Sequence, residues 1–386
     1  MLVGINMKIC SRCIYDESIP NIDFDQDGVC NYCRMIDGLN ETYGTGREKG
    51  LSIFKSIIKR IKLEGAKRKY DVIVGVSGGV DSSYLLKLAI DNGLRPLAVH
   101  YDDTWNTAIA SQNIYKVTSA LNVDLYTHVC DNKESDDIFK SFFLAGVPEV
   151  GGPTDIALAE VLYRAASKFK IKYILEGHSF VEEGVSPMGK AYVDGGYISS
   201  VHRHHGKLPM VTFPNMTFLR FLYWTVFKRI RKVRPFWYIY YSKSKAKEEL
   251  QSSYGWQDYG GHHLENRMSA FAHSIYGPIK FGVDHRNLVL AAKVRAGKIT
   301  RSDALQEYAK APYVEDGLLN YVLKRFDIDR TTFDAQIKSP PKFYTSYKTY
   351  KKRFEHLRPL FFLLAKANLV PMSFYLKYCF PAKAPT

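Results

Sequence analysis

No apolar run in this 386-residue chain reaches the roughly 18–20 residues needed to span a bilayer. The opening MLVGINMKICSRC lacks the basic-then-apolar order of a secretory signal. Both absences point to a cytoplasmic protein. Internal repeats and low-complexity tracts are missing too. The hydrophobic fraction of 46% is ordinary and argues against wholesale disorder, and the length fits two domains or one elaborated domain. Acid is what the chain lacks most unevenly. From Gly195 to Lys247 there is no Asp or Glu, while eleven Lys or Arg occur there. From Lys338 to the end Glu355 is the only acid. The net charge of +15 is therefore concentrated in fields that attract phosphorylated ligands, anionic lipid or nucleic acid.

Cysteine is scarce, and four of the six are paired. Cys10-x2-Cys13 and Cys30-x2-Cys33 have the spacing of a closed four-thiolate zinc knuckle, whose full ligand shell makes the metal structural. A redox dithiol or an iron–sulfur cluster are the alternatives. Cys130 and Cys379 stand alone and read as small buried side chains.

Hydrophobic periodicity predicts a helix over 51–62, then strands over 70–76, 95–100, 124–129 and 172–175. Helices over 81–91, 107–121 and 154–168 separate those strands. Such alternation predicts an α/β fold, a parallel sheet with helices on both faces. The zinc segment precedes it and a mostly helical carboxyl-terminal region follows. The aromatic, basic stretch is expected to be helical over 215–233. Further helices are expected over 264–274 and from a Thr300–Asp303 capping signal through 310. The organisation so read is a zinc-binding segment (1–50), a nucleotide-binding domain (51–195), a basic aromatic insertion (196–250), a substrate-side helical part (251–338) and a basic aromatic tail (339–386).

Ser77-Gly78-Gly79-Val80-Asp81-Ser82 lies between the first strand and its helix. A helix amino terminus presents unpaired N–H groups and a partial positive charge. Gly78 and Gly79 let the backbone close on an anion, and Ser77 and Ser82 add hydroxyls. Asp81 suits a Mg²⁺-bridging role better than direct phosphate contact. The loop has no terminal Lys, so it is not the usual nucleotide-triphosphatase loop.

This string resembles the PP-loop of the ATP pyrophosphatase superfamily. The resemblance implies ATP cleavage between the α and β phosphates, with adenylation of a carbonyl oxygen. It also implies adenine contacts at His100, Tyr101 and Asp102. Gly152-Pro153-Thr154-Asp155 and Glu176-Gly177-His178 fall at the strand ends and helix starts where open α/β sheets bind ligands.

The string from Gly255 to Asn266 (GWQDYGGHHLEN), with KFGVDHR at 280–286 and GKITR at 297–301, resembles the N-acetyl sugar amidotransferases of bacterial surface-polysaccharide and nonulosonic-acid pathways. With the cysteine segment and the PP-loop, the likeness covers most of residues 8–310. The family often has Lys–His where this chain has His262–His263, and Glu–Ser where it has Glu265–Asn266. The resemblance implies adenylation of an acetamido oxygen and attack by ammonia, giving an acetamidino group. Asp81, Asp155 and Asp284 are the expected catalytic carboxylates, and Gly177 and His178 join the nucleotide site. Thr154, Glu176, Tyr259, Gly260, Gly261, Glu265 and Arg286 are the expected substrate contacts; ordinary capping and ion pairing compete as readings for Asp258, Glu265, Asp284 and Arg286. ATP, Mg²⁺ and structural Zn²⁺ are the implied cofactors, and a nucleotide-linked sugar the substrate.

No cysteine sits in a glycine-flanked elbow, so ammonia is expected from a separate glutaminase subunit. The competing reading is a PP-loop tRNA thiolase, which typically needs a third cysteine pair that this chain lacks; nucleic acid is not the expected partner. For 218–241 and 359–380 three readings compete: a packed helix with a basic outer face, a docking surface for the glutaminase or a second copy of the chain, and a membrane-surface element.

Overall fold

The computed structural model describes residues 7–185, 192–261 and 264–381. Five parallel strands form the sheet: β1 Val72–Gly75, β2 Pro96–Asp102, β3 Leu125–Val129, β4 Tyr173–Leu175 and β5 Arg231–Val233. Their order is β3-β2-β1-β4-β5, so the winding direction reverses between β1 and β4. That reversal opens a crevice at the carboxyl ends of the two strands, the place where doubly wound sheets bind ligands.

Strand alternation decides the layering. Ile73, Leu97, Val99 and Ile174 point to one face, where Phe139, Phe142, Val161 and Phe271 cover them. Val72, Val74, Ala98 and Leu175 point to the other, against Phe54, Ile61, Leu85 and Leu250. Both faces are dry, which explains the continuous apolar runs of β1 and the first half of β2. The edge strand β3 instead alternates between exposed and half-buried positions.

The segment expected to be one helix over 215–233 divides into three parts. Phe218–Leu222 is α-helical, Tyr223–Phe227 continues as a π-helix, and Arg231–Val233 becomes β5. Cations alone give no strand signal. Register with β4 and the ion pairs described below supply the stabilisation instead. Helix Lys243–Tyr254 then packs on helix Val80–Asp91.

The cysteine segment does not stand apart. Cys10, Cys13, Cys30 and Cys33 share a cluster with Leu290, Ala291 and Ala304 from helices Arg286–Arg295 and Arg301–Ala309. In the tail, Phe354 and Phe361 pack on Phe218 and Phe221. Each fully buried aromatic stabilises by about 2–3 kcal/mol before ordering entropy is subtracted. Among the described residues no helix is long and apolar enough to cross a membrane.

Candidate functional site

The Ser77–Ser82 loop sits at the switch point, directly after β1. Gly78 has φ +80°, and a methyl carbon there would lie only 2.7 Å from the Ala110 carbonyl carbon. Only glycine fits, because both the dihedral and the neighbouring helix backbone exclude a side chain. The loop is tied down from outside. The Gly78 carbonyl accepts from Trp256 Nε1 at 3.0 Å and Asn113 Nδ2 at 3.3 Å. Asn113 also exchanges two 2.8 Å bonds with the Gln257 backbone. Within the loop, Ser82 Oγ accepts from the Ser77 N–H at 3.2 Å and stands 3.3 Å from Ser77 Oγ.

Asp81 opens the helix Val80–Asp91. Its carboxylate accepts from Tyr241 Oη and from Lys243 Nζ, both at 2.6 Å. Burial opposes the Lys243 charge, but Asp81 and Glu183 outweigh burial and hold its ammonium above the usual lysine range. Burial and the adjacent Asp81 charge likewise push the Tyr241 hydroxyl up, so it stays a donor. Tyr259 and Glu265 come up against the mouth of the loop. A Cβ on Gly79 would meet Ser77 Oγ at 3.1 Å and both Glu265 Oε1 and Tyr259 Oη at 3.3 Å. The Thr107 N–H donates to the Glu265 carbonyl at 2.9 Å, which anchors that segment.

Across the crevice, β4 ends in Glu176-Gly177-His178. Gly177 lets this turn approach the first turn of the loop helix, where an added Cβ would lie 3.2 Å from the Asp81 backbone. Glu176 is paired with Lys232 Nζ at 2.6 Å and Arg234 Nε at 3.0 Å, both from β5 and its exit. Burial would raise this carboxyl, yet the two cations hold it at about 2. His178 moves the other way. Burial first, and then the Arg234 charge, lower it to about 4, so the ring is neutral at pH 7. Its Nδ1 accepts from Trp237 Nε1 at 3.2 Å.

The other expected residues distribute unevenly. His100 lies beside the loop, with Nδ1 2.9 Å from the Val76 carbonyl and Nε2 3.3 Å from Asn106. Tyr101 points to the opposite face of β2, buried and stacked on His128. Asp102 ends β2 and caps the Thr104 N–H at 2.8 Å. Thr154 donates to Asp103 Oδ2 at 2.8 Å, while Asp155 is exposed on the first turn of helix Gly152–Lys168. Gly260 has φ +94°, and its N–H donates to Asp258, which pairs with Lys247. A Cβ on Gly261 would press on Leu264. Asp284 and Arg286 pair with each other at 2.6 Å, and Arg286 spends its remaining N–H groups on the carbonyls of Glu307, Tyr308 and Lys310. This clamps two helices beside the cysteine segment; among the described residues no bond ties either side chain to the loop. His262 and His263 lie outside the described residues.

Several residues at the crevice escape motif reading. Asp103 is buried and gathers Thr154, Asn266 Nδ2 and the Trp105 N–H. Lys232, Arg234 and Lys243 were visible only as members of an acid-free run. The signal for them was that so many cations need carboxylates, and Glu176 and Asp81 are the carboxylates they find.

The four cysteines fit a zinc ion. All four are buried, and their sulfurs lie within 4.8 Å of one another. Cys10 to Cys33 is 3.9 Å and Cys13 to Cys30 is 3.8 Å. A tetrahedron with Zn–S near 2.3 Å has edges of about 3.8 Å. Backbone N–H groups of Arg12, Cys13 and Cys30 point at Cys10 Sγ at 3.2–3.4 Å, as a thiolate requires. Arg301 Nε clamps the Cys10 and Cys13 carbonyls at 2.9 and 3.0 Å, and Arg295 Nη1 approaches Cys13 Sγ at 3.9 Å.

Fold and loop together define a doubly wound α/β protein with a glycine-rich strand-to-helix turn at its switch point. Comparison with known proteins adds one sequence match. Residues 265–358 match the family described as LPS biosynthesis protein WbpG-like, C-terminal domain. No curated protein matches the chain in sequence. Among solved structures, the chain is similar to NMN synthetase from Francisella tularensis at 13% identity and a TM-score of 0.26, over 57% of this chain and 92% of that one. It is also similar to the NH3-dependent NAD synthetase from Campylobacter jejuni in complex with the nitrate ion. That likeness has 12% identity and a TM-score of 0.31, over 76% of this chain and 98% of that one.

Proposed function

We propose that this chain is an ATP-dependent ligase of surface-polysaccharide biosynthesis, which converts the acetamido group of a nucleotide-linked N-acetyl sugar into an acetamidino group. The observation that carries the reading is the SGGVDS turn at the switch point, with Gly78 locked at positive φ and Asp81 on the first helical turn. The WbpG-like match over 265–358 supports the pathway.

An acetamido carbonyl has no good leaving group. Its oxygen attacks the α-phosphorus of ATP, the bond to the β-phosphate breaks, and pyrophosphate departs with the electron pair. Ammonia then adds to the imidate carbon, and AMP leaves carrying the former acetamido oxygen. The loop N–H groups and Ser77 and Ser82 hold the departing pyrophosphate, where preorganised donors act on developing charge. Asp81, whose oxygens here accept from Tyr241 and Lys243, would hold a Mg²⁺ ion, which would supply charge neutralisation for the departing pyrophosphate. Lys243 neighbours that carboxylate at 2.6 Å and in this reading serves the same leaving group. In this reading neutral His178 orients the acetamide and Asp155, exposed on the first turn of its helix, accepts the proton shed by ammonia.

Ammonia comes from a separate glutaminase subunit. Cys130, the cysteine at a strand end, is buried, and burial pushes its thiol up to about 11, which does not suit a nucleophile. The same thiol is unsuited to sulfur transfer, so no observation favours the tRNA-thiolase reading. The test is mass spectrometry of candidate sugar nucleotides incubated with the chain, ATP, Mg²⁺ and ammonium. The expected product is lighter by the difference between oxygen and NH, with AMP and pyrophosphate formed together. Glutamine-dependent turnover by the chain alone would defeat the glutaminase assignment.

A further inference from the structure

A surface that descends along helix Gly152–Lys168 to the amino-terminal edge of the sheet, the edge opposite the crevice, is not used by the proposed chemistry. Helix Phe218–Leu222 and its π-helical extension bury Phe218, Phe221 and Trp224. Their outer face is Leu219, Tyr223 and Phe227, one helical turn apart, with Leu219 75% and Phe227 77% exposed. Apolar groups so exposed in register are a surface in search of a cover. Directly after Phe227 the chain turns through Lys228 and Arg229, the latter at φ +53°. Lys228 also lies over the Tyr223 ring, 5.4 Å from its centroid.

Beside this tip is a groove of about 140 Å³ whose charged lining is Arg68, Lys170, Lys172 and Lys228. Lys172 Nζ donates to the Lys228 carbonyl at 2.6 Å. Burial and then the charges of Arg68, Lys228 and Arg229 depress its ammonium, with Glu64 the opposing acid. Among the described residues no ion pair is formed by Arg68, Lys170, Lys172, Lys228 or Arg229. The tail adds to the same aromatic cluster a helix, Arg358–Lys366, with Leu363 65% exposed between Arg358 and Lys366.

We propose that this edge docks on an anionic lipid surface, with Leu219, Tyr223 and Phe227 entering the headgroup region and the Arg68–Lys170–Lys172–Lys228 groove receiving lipid phosphate. Charge complementarity selects the occupant. The surface combines exposed apolar and aromatic groups with cations that have no carboxylate partner, the combination that interfacial elements present to anionic bilayers. A second copy of this chain would bring like charge against like. Docking by this edge leaves the crevice, at the other ends of the strands, open to the aqueous phase.

Flotation of the full chain with phosphatidylcholine vesicles, with and without phosphatidylglycerol, tests this. The chain is expected to float with the phosphatidylglycerol vesicles only, and less so as salt rises. Lys228→Glu/Arg229→Glu should reduce partition by about 1,000-fold, since each cation near an anionic surface is worth about 1 kcal/mol and each of the two reversals counts twice. Leu219→Ser/Phe227→Ser, at exposed positions, should abolish flotation while leaving the urea midpoint and ATP turnover unchanged. Absence of flotation overturns the proposal, as does flotation that survives both double variants. Self-association that vanishes in Leu219→Ser/Phe227→Ser, with vesicles left bare, would make the face a contact between copies and overturn it equally.

Discussion

Replacing Gly78 by alanine separates backbone strain from close approach, because another glycine provides the matching control. Gly78 and Gly297 both have positive φ, +80° and +68°. At Gly297 an added methyl meets nothing within 4 Å; at Gly78 it lies 2.7 Å from the Ala110 carbonyl carbon and 2.9 Å from its Cα. The left-handed conformation costs alanine about 1–2 kcal/mol at either site. Only at Gly78 must two backbones part, which adds about 1–3 kcal/mol. The loop cannot yield freely, since Trp256 and Asn113 hold its carbonyl. A displacement near 1 Å in a positioning element costs on the order of 100-fold in rate. Urea melts and chromatographic measurement of AMP release should therefore show Gly297→Ala less stable by about 1–2 kcal/mol with its turnover intact. Gly78→Ala should be less stable by about 2–5 kcal/mol and about 100-fold slower. Equal stability of the two variants, or turnover of Gly78→Ala within a few-fold of Gly297→Ala, would refute the reasoning.

Elemental analysis should find one zinc per chain, and Cys30→Ser should lose it together with the packing of helix Arg286–Arg295, seen as early proteolysis of the amino-terminal segment. Lys243→Met should leave Asp81 near Glu183 without a counter-charge, weakening ATP binding and turnover by at least about tenfold. Acid stability should fall in two windows. His178 is depressed from 6.5 to about 4, so the unfolded state binds the extra proton as pH drops from 6.5 to 4, and stability falls there by as much as about 3 kcal/mol. Glu176 is depressed from 4.5 to about 2, so its contribution is whole above pH 4.5 and is lost as pH falls towards 2. His178→Gln should flatten the first window in equilibrium urea titrations and Glu176→Gln the second.

The sheet was legible because β1, β2 and β4 are buried on both faces, and such strands write themselves as unbroken β-branched runs. The loop was legible because a Gly–Gly pair between strand and helix has few other uses. Tyr259 and Glu265 could be expected near it only through the family string, and the geometry brings both to Gly79. Arg231–Val233 could not be read as a strand. Two of its three side chains are cations, Arg231 facing Glu64 and Lys232 facing Glu176, carboxylates more than fifty residues away, and periodicity is blind to pairing. Tyr101 lies on the core face because strand neighbours alternate: with His100 turned to the loop, Tyr101 enters the core. For Asp284 and Arg286 the sequence left a site role and ordinary ion pairing side by side, and two residues apart at a helix start they pair with each other.

Labelling the acetamido oxygen of the sugar substrate with heavy oxygen tests the central chemistry most directly. If the acetamide is adenylated, the label must leave in the phosphate of AMP, and the amidino product must be free of it. Label retained in the sugar, or found in pyrophosphate or inorganic phosphate, would contradict the account.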